Sequence, residues 1–164
     1  MGSVRLNIKS NWSPERCQSV IAQHQHQAGA LLPVLHAIQE EFGYIDREAI
    51  PLVAEALNLS RADVHGVISF YHDFRVTPPG RHILKICRAE ACQSMGCDEL
   101  IGHVESRLNV KLGETTPDRS FTVEAVFCLG NCALSPSVLL DGEPFGRVTA
   151  QVADFLIDHS RRQA

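Results

Sequence analysis

The sequence has little of what membrane, exported or nucleic-acid-binding proteins need. No apolar run in its 164 residues approaches the ~20 residues of a membrane-spanning helix. The first sixteen residues lack the apolar core of a signal peptide, and Leu6 stands where a myristoylation pattern requires Ser or Thr. No Lys/Arg cluster is present and the formal net charge is −4, which argues against nucleic acid as a partner. We therefore expect a cytoplasmic protein without direct membrane contact.

Cysteine, in contrast, is abundant for the expected reducing compartment. Six cysteines would suggest disulfides in a secreted chain, but without an export signal they favour metal binding or redox chemistry. The Cys-x-x-Cys pair of thiol–disulfide enzymes does not occur. Hydrophobic residues make up 45% of the chain, so a packed core is expected rather than a disordered tail.

Apolar residues at helical spacing predict a helical bundle over residues 1–77. Residues with capping preferences mark the ends of four predicted helices. In chain order, these are Ser13 with Pro14, Gly43 after a helix from Ala30 to Phe42, Asp46, and Ser60 with Asp63 as a capping box. The segment from Thr77 to Gly80 then reads as a linker.

The remaining residues, 81–164, predict a small α/β domain in the order β-α-β-β-β-α. Residues 82–87 and 121–127 alternate as strands, and residues 98–109 have the spacing of a helix. The turn Asp141-Gly142 predicts a hairpin of residues 137–140 and 145–148. A closing helix over residues 150–161 is expected to bury Val152, Phe155 and Leu156.

Four cysteines form two local pairs, each predicted to follow a strand: Cys87 with Cys92, and Cys128 with Cys132. Loops at the ends of neighbouring strands can present four thiolates to one point. Four thiolates hold either an iron–sulfur cluster or a structural zinc ion. Spacing alone leaves both open, so the chain is either an electron carrier or a zinc-stabilised docking module without a redox role.

The other cysteines and the histidines are weaker metal-ligand candidates. Cys97 lies as far from Cys92 as Cys87 does, so spacing does not choose between them. Because Cys97 begins the predicted helix, where a buried free thiol is ordinary, we favour Cys87. Cys17 lies in the helical part and is expected to be a core or surface thiol. None of the eight histidines has ligand spacing to the cysteine pairs.

Taken together, these segments resemble the thioredoxin-like [2Fe–2S] ferredoxins. The family includes the 24 kDa subunit of NADH:quinone oxidoreductases and its relatives in NAD-linked hydrogenases and formate dehydrogenases. The resemblance covers nearly the whole chain and lifts iron–sulfur above zinc. The residues that carry it are the four-cysteine pattern, residues 31–45, residues 66–71 (GVISFY), and residues 128–149 (CLGNCALSPSVLLDGEPFGRVT).

The resemblance implies a helical bundle followed by a thioredoxin-like domain with one [2Fe–2S] cluster on Cys87, Cys92, Cys128 and Cys132. Residues 87–96 (CRAEACQSMG) and 71–75 (YHDFR) are most similar to the gamma subunit of NAD-dependent, molybdenum-containing formate dehydrogenases. An equivalent subunit of an NADH:quinone oxidoreductase or an NAD-reducing hydrogenase is the alternative. A cis peptide bond before Pro136 is also implied.

The resemblance also implies a non-catalytic electron-transfer subunit inside a larger oxidoreductase complex. Its neighbour would be a flavoprotein that carries FMN and binds NAD, with the molybdenum cofactor on another subunit. Residues 70–74 are candidates for docking, although they could equally be core. Gly96 and Gly130 are expected to allow backbone contacts to sulfur, and Leu129 and Leu134 to shield the cluster. Arg88 and Glu90 would influence its potential in opposite directions.

Overall fold

The computed structural model describes residues 12–162, which divide into two compact units, 12–78 and 79–162. The predicted domain boundaries, 1–77 and 81–164, stay a prediction, because parts of both ranges lie outside the described residues. Residues 1–11 also lie outside the described residues, and most of the expectations about export and lipid attachment apply to this segment. Within residues 12–162, no helix has both the length and the apolar character needed to cross a membrane.

The first unit consists of four helices, as the sequence predicts: α1 (Pro14–His24), α2 (Leu31–Phe42), α3 (Ala49–Leu57) and α4 (Arg61–Phe70). Each helix is short and turns one apolar stripe inward, so packing rather than helix propensity stabilises it. The fully buried side chains of this core include Cys17, Val34, Leu35, Ile38, Phe42, Ile45, Val53 and Val64.

Three predicted helix caps of this unit are confirmed. The Ser13 hydroxyl accepts a hydrogen bond from the Arg16 backbone N–H at 3.4 Å, with Pro14 as the first helical residue. Gly43 ends α2 with a φ of 82°, a left-handed conformation that glycine adopts without steric cost. Ser60 and Asp63 form both hydrogen bonds of a capping box, at 3.1 and 3.2 Å.

The start of α3 differs from the prediction. Asp46 is not the N-cap, because Glu48 occupies that position. The Asp46 carboxylate instead accepts a hydrogen bond from the Glu48 backbone N–H at 2.9 Å, which stabilises the turn before the helix. Pro51 therefore lies in the first turn of α3, where its missing N–H has no helical partner to lose.

The second unit is a mixed α/β fold with a four-stranded sheet in the order β2-β1-β3-β4. Strands β1 and β2 are parallel, and the other neighbours are antiparallel. Its elements are β1 (His82–Cys87), α5 (Glu90–Ser94), α6 (Cys97–Leu108), β2 (Phe121–Val126), a 3₁₀ turn (Cys132–Leu134), β3 (Val138–Leu140), β4 (Glu143–Phe145) and α7 (Ala150–Arg162). Buried residues of the sheet, α6 and α7 form one core.

The hairpin is confirmed, but its second strand begins earlier than predicted. Asp141 and Gly142 have φ values of 50° and 88°, so the chain reverses within two residues and Leu140 pairs with Glu143. Strand β4 therefore covers residues 143–145 instead of 145–148. Pro144 is tolerated because β4 is an edge strand of the sheet.

Two further predictions about helices need correction. A five-residue helix, α5, begins after Cys87 and contains Cys92, where no helix was predicted. In α7, Phe155 is 61% exposed and Val152 is 37% exposed, so neither belongs to the core. The buried stripe is instead Ala153, Leu156, Ile157 and Ser160, a regular i, i+3, i+4, i+7 pattern that includes one polar residue.

Candidate metal centre

The parallel pairing of β1 and β2 brings the two cysteine loops together. Cys87 is the last residue of β1, and it lies in register with Val126, the last residue of β2. Because parallel strands end at the same edge of a sheet, the loop after each strand starts from neighbouring points. Cys128 follows only two residues after Val126, so it enters this region directly.

The first loop folds back on itself through α5. The Cys92 backbone N–H donates to the Ala89 carbonyl at 2.9 Å, which places Cys92 one turn after the strand. Its thiol thereby comes within hydrogen-bond reach of the Cys87 sulfur. Cys87 is 3% exposed and Cys92 is 2% exposed, so this pair forms the buried side of the candidate centre.

The second loop presents its two thiols at the surface. Cys128 has a φ of 84° and Gly130 a φ of 73°, a combination that curls the backbone tightly around the Cys128 side chain. The Gly130 backbone N–H donates to the Cys128 Sγ atom at 3.4 Å, as expected for a glycine beside a ligand. The 3₁₀ turn then brings Cys132 Sγ to 3.8 Å from Cys128 Sγ.

Hydrogen bonds connect the two loops at the level of the thiols. Backbone groups of Cys128 and Leu129 act on the Cys87 thiol and lower its pKa. The Cys92 thiol donates to the Ser135 hydroxyl at 3.5 Å, and that hydroxyl donates to the Cys132 carbonyl at 2.8 Å. The structure therefore brings all four predicted cysteines to one place, as two pairs.

The local electrostatics differ between the buried and the exposed pair. Burial alone would raise the pKa of Cys87, but hydrogen bonds from the Ala89 backbone, the Cys92 thiol and the second loop outweigh it and lower the pKa. The pKa of Cys132 is raised, first by its hydrogen bond with the Cys128 thiol and then by the negative charge of the neighbouring cysteines. Four thiolates at this spacing repel one another, so a cationic metal centre would stabilise them.

The arrangement in pairs bears on the kind of metal centre. Two thiolates bound ~2.3 Å from one tetrahedral metal atom lie roughly 3.8 Å apart, which is the separation of Cys128 and Cys132. Within the described residues, no three His, Cys, Asp or Glu side chains are arranged to hold one metal ion. The separation of Cys128 and Cys132 therefore fits two thiolates on one metal atom, as occurs both in a zinc site and in a two-metal cluster.

Cys97 lies next to this site, and Cys17 does not. Cys97 is the first residue of α6 and is fully buried, with its Sγ atom 3.9 Å from Asp98 Oδ1. Burial, Asp98 and Cys92 together raise the pKa of Cys97. Cys17 is a fully buried core residue of the helical unit, where burial and Asp46 raise its pKa to about 11.

The expectations for the surrounding residues are partly confirmed. Gly96 does not donate to sulfur, because its N–H donates to the Gln93 carbonyl at 3.1 Å. Leu129 packs against the core, whereas Leu134 is 40% exposed. The predicted cis peptide bond is present between Ser135 and Pro136.

Gly146 helps to shape the second cysteine loop, a role that was not predicted from the sequence. A Cβ atom at this position would lie 2.5 Å from the Leu134 Cβ atom and 2.9 Å from the Leu134 carbonyl oxygen. Only glycine therefore allows the segment after β4 to lie against the Cys132–Leu134 turn. The sole sequence signal was a glycine directly after a hairpin strand.

The docking candidates in residues 70–74 divide into surface and core. Phe70 is 73% exposed and Tyr71 is 43% exposed, and their rings contact each other edge to face. Phe74 is buried in the helical core. The two exposed rings therefore form an apolar surface of the first unit, while Phe74 has a packing role.

Comparison with known proteins identifies relatives along most of the chain. Residues 17–161 match the sequence model of the thioredoxin-like [2Fe–2S] ferredoxin family. The HndA subunit of the NADP-reducing hydrogenase of Solidesulfovibrio fructosivorans is 35% identical over 132 residues, which are 80% of this chain and 77% of that one. One of the subunits of the NADH-quinone oxidoreductase of Pseudomonas aeruginosa is 34% identical over 125 residues, 76% of this chain and 75% of that one.

A solved structure shares the fold. An NAD⁺-reducing [NiFe]-hydrogenase in the air-oxidised state superimposes with a TM-score of 0.71 and 27% identity over 81% of this chain. The present chain spans only 23% of that hydrogenase chain.

Proposed function

The chain belongs to the thioredoxin-like [2Fe–2S] ferredoxin family, and we propose that Cys87, Cys92, Cys128 and Cys132 are the ligands of its cluster. The observation that carries this assignment is the convergence of two thiol pairs at the ends of β1 and β2. The position of Cys87 at the end of β1, in register with the end of β2, and a pKa lowered by groups of both loops support Cys87 rather than Cys97 as the partner of Cys92. Cys97 is directed instead towards Asp98, whose negative charge opposes a thiolate there.

When bound, the cluster supplies one-electron transfer, and the protein supplies its environment. Cys87 and Cys92 lie on the buried side, where the core excludes water. Cys128 and Cys132 lie on the exposed side, next to Phe127, which is 75% exposed. This asymmetry leaves one side of the site open to a redox partner, so electrons enter and leave through the second loop. The chain has no catalytic role of its own in this proposal.

The parent complex is proposed at two levels of detail. The relatives are subunits of NADH-quinone oxidoreductase and of NADP-reducing hydrogenase, which supports an electron-transfer subunit of an NAD(P)-linked oxidoreductase complex. The finer proposal is a cytoplasmic NAD-dependent formate dehydrogenase with a molybdenum cofactor on another subunit. It rests on the likeness of residues 87–96 and 71–75 to the gamma subunit of those enzymes.

The direct partner in this proposal is a flavoprotein subunit with FMN and an NAD site. The exposed Phe70 and Tyr71 offer an apolar surface for docking on the helical unit. Aromatic side chains contribute large contact areas in protein interfaces, which supports their assignment to docking.

The spectrum and metal content of the purified protein test the cluster. We expect visible absorption from ferric–sulfide charge transfer, with iron and acid-labile sulfide in a 1:1 ratio. Because zinc–thiolate sites are colourless, a zinc-loaded protein without visible absorption would refute the cluster and leave the docking-module alternative.

Activity assays of the chain co-purified with the flavoprotein test the parent complex. NAD reduction is measured with formate and with hydrogen, and NADH oxidation is measured with quinone. Formate-dependent NAD reduction supports the finer proposal, and activity with hydrogen or quinone alone contradicts it. Phe70→Ser should weaken flavoprotein binding without changing the visible spectrum. Phe155→Ser removes an exposed phenylalanine from the other unit and should leave binding unchanged.

A further inference from the structure

Arg88 lies in the first loop between Cys87 and α5, and its side chain reaches the start of α6. It follows Cys87 directly, and its backbone N–H donates to the Val126 carbonyl at 2.8 Å, so its position is fixed at the ends of β1 and β2. Its Nη2 atom lies 3.5 Å from Asp98 Oδ1, at the start of α6. The side chain is 38% exposed overall, so one part reaches solvent and another part is buried.

The buried part of Arg88 carries an unused hydrogen-bond donor. Its Nε–H is buried and has no hydrogen-bond partner among the described residues. Buried N–H groups in folded proteins nearly always have a partner, and one left without costs free energy. Because Arg88 directly follows the proposed ligand Cys87, the sulfur of a bound cluster is an acceptor that would satisfy this Nε–H.

The ion pair with Asp98 does not explain the burial of Arg88. Asp98 is 69% exposed, and a solvent-exposed pair at this distance contributes little to stability. The pair does hold the guanidinium group in one place. The guanidinium charge also acts to lower the pKa of the Cys97 thiol, although burial, Asp98 and Cys92 outweigh it.

Glu90 does not balance this charge. It is the first residue of α5 and is exposed, so water screens its carboxylate. Arg88 therefore places a partly buried positive charge in the first loop, and Asp98 is its counter-charge.

We propose that Arg88 donates its Nε–H to the sulfur atoms of the cluster, held in place by Asp98, and thereby raises the cluster's reduction potential. The inference rests on the proposed function, since it requires a cluster on Cys87 and Cys92. Reduction adds one negative charge to the cluster, and both the hydrogen bond and the positive charge stabilise that state.

Redox titration of the purified full chain tests the proposal, with a flavin-class dye as mediator and dithionite as the one-electron source. Arg88→Gln should lower the reduction potential by about 59 mV, which is a tenfold change in the ratio of reduced to oxidised cluster. Arg88→Lys keeps the charge but lacks the Nε–H, so its reduction potential should remain below that of the wild type. Both variants should also shift the Fe–S stretching frequencies in resonance Raman spectra.

Arg107→Gln is the matched control. It removes the same charge from an exposed ion pair with Asp158, near the other end of α6. An Arg88→Gln potential equal to that of Arg107→Gln would overturn the proposal. A wild-type potential in Arg88→Lys would also overturn it, because charge alone would then suffice.

Asp98→Asn keeps the proposal testable if both Arg88 variants lose the cluster. It retains Arg88 but removes the carboxylate that holds the guanidinium group, so the Fe–S stretching frequencies in resonance Raman spectra should shift; unchanged frequencies contradict the proposal. The wild-type spectrum separates the two levels of inference. A wild type without a cluster refutes the proposed function, whereas a cluster with unchanged potentials refutes only the role of Arg88.

Discussion

Cys128 and Cys132 face each other across a tight surface loop, with their Sγ atoms 3.8 Å apart. The loop reaches this geometry through a left-handed Cys128, with a φ of 84°, and a 3₁₀ turn that starts at Cys132. A cysteine at positive φ is uncommon, because its Cβ atom is crowded there. The position of the thiol, rather than the conformational preference of the backbone, therefore accounts for the shape of this loop.

Single substitutions at the cysteines should distinguish ligands from bystanders. Cys87→Ser removes a proposed ligand on the buried side and should abolish or strongly change the visible spectrum, with loss of bound iron. Cys97→Ser removes a thiol outside the proposed ligand set and should leave the spectrum and the iron-to-protein ratio unchanged. Absorption spectra and iron analysis of the purified variants provide the measurement.

A second substitution at Cys97 separates the loss of a ligand from a loss of stability. Cys97 is fully buried, so a serine hydroxyl there is left poorly solvated and lowers stability. Cys97→Ala avoids that cost and should hold the cluster equally well. If both Cys97 variants lose iron while Cys87→Ser keeps it, the ligand assignment is wrong.

Local signals in the sequence predicted most of the fold. The Ser60/Asp63 capping box, Gly43 and the Asp141-Gly142 turn act within a few residues, so they can be read without knowing the tertiary structure. The cis bond before Pro136 had no local signal and came from resemblance to the family. The same is true of the choice between iron–sulfur and zinc, because the spacing of the cysteines permits both.

The features that could not be predicted depend on contacts between distant residues. Helix α5 has five residues, too few to show a helical period, and exists because the chain must return Cys92 to Cys87. Phe155 looked like a core residue, yet the stripe that faces the sheet includes Ser160 instead. The 3.5 Å approach of Arg88 to Asp98 joins a strand end to a helix start and has no sequence signature.

Gly146→Ala should destabilise the second unit and loosen the second cysteine loop. The added Cβ atom would lie 2.5 Å from Leu134 Cβ, so the Cys132–Leu134 turn must move. Overpacking of this kind costs about 1–3 kcal/mol. We expect a lower thermal unfolding midpoint and faster loss of iron to a chelator.

Gly102→Ala is the control for this prediction. Gly102 lies inside α6 with no atom near the position of an added Cβ, so alanine should stabilise the helix by about 0.5–1 kcal/mol. Equal effects of the two substitutions would contradict the close contact between Gly146 and Leu134.

Ser60→Ala should destabilise the helical unit through the loss of its capping box. The Ser60 hydroxyl accepts the Asp63 backbone N–H at 3.1 Å, and alanine leaves that N–H without its partner. Losses of this kind cost about 1 kcal/mol. Amide hydrogen exchange in the first turn of α4 should accelerate. Ser69→Ala removes an exposed hydroxyl near the other end of α4 and should leave those exchange rates unchanged.

Asp118 should make part of the stability of the second unit dependent on acid pH. Hydrogen bonds from the Thr116 hydroxyl, at 2.5 Å, and from the Ser120 backbone and hydroxyl, at 2.9 and 2.7 Å, lower the pKa of its carboxyl. An acid whose pKa is lower in the folded state stabilises the fold fully above its unfolded value, near ~3.9, and this contribution is lost progressively as the pH falls from there through the lower folded-state pKa.

Asp118→Asn removes the titrating group and should lower the urea unfolding midpoint at pH 7 more than at pH 3. The difference from the wild type should therefore shrink as the pH falls, because Asp118 takes up a proton in the unfolded wild type while it stays ionised in the folded protein. Asp158→Asn, which breaks the exposed ion pair with Arg107, is the comparison for a general loss of one carboxylate. If the gap between Asp118→Asn and the wild type is constant from pH 7 to pH 3, the three hydrogen bonds do not act through the ionised carboxylate.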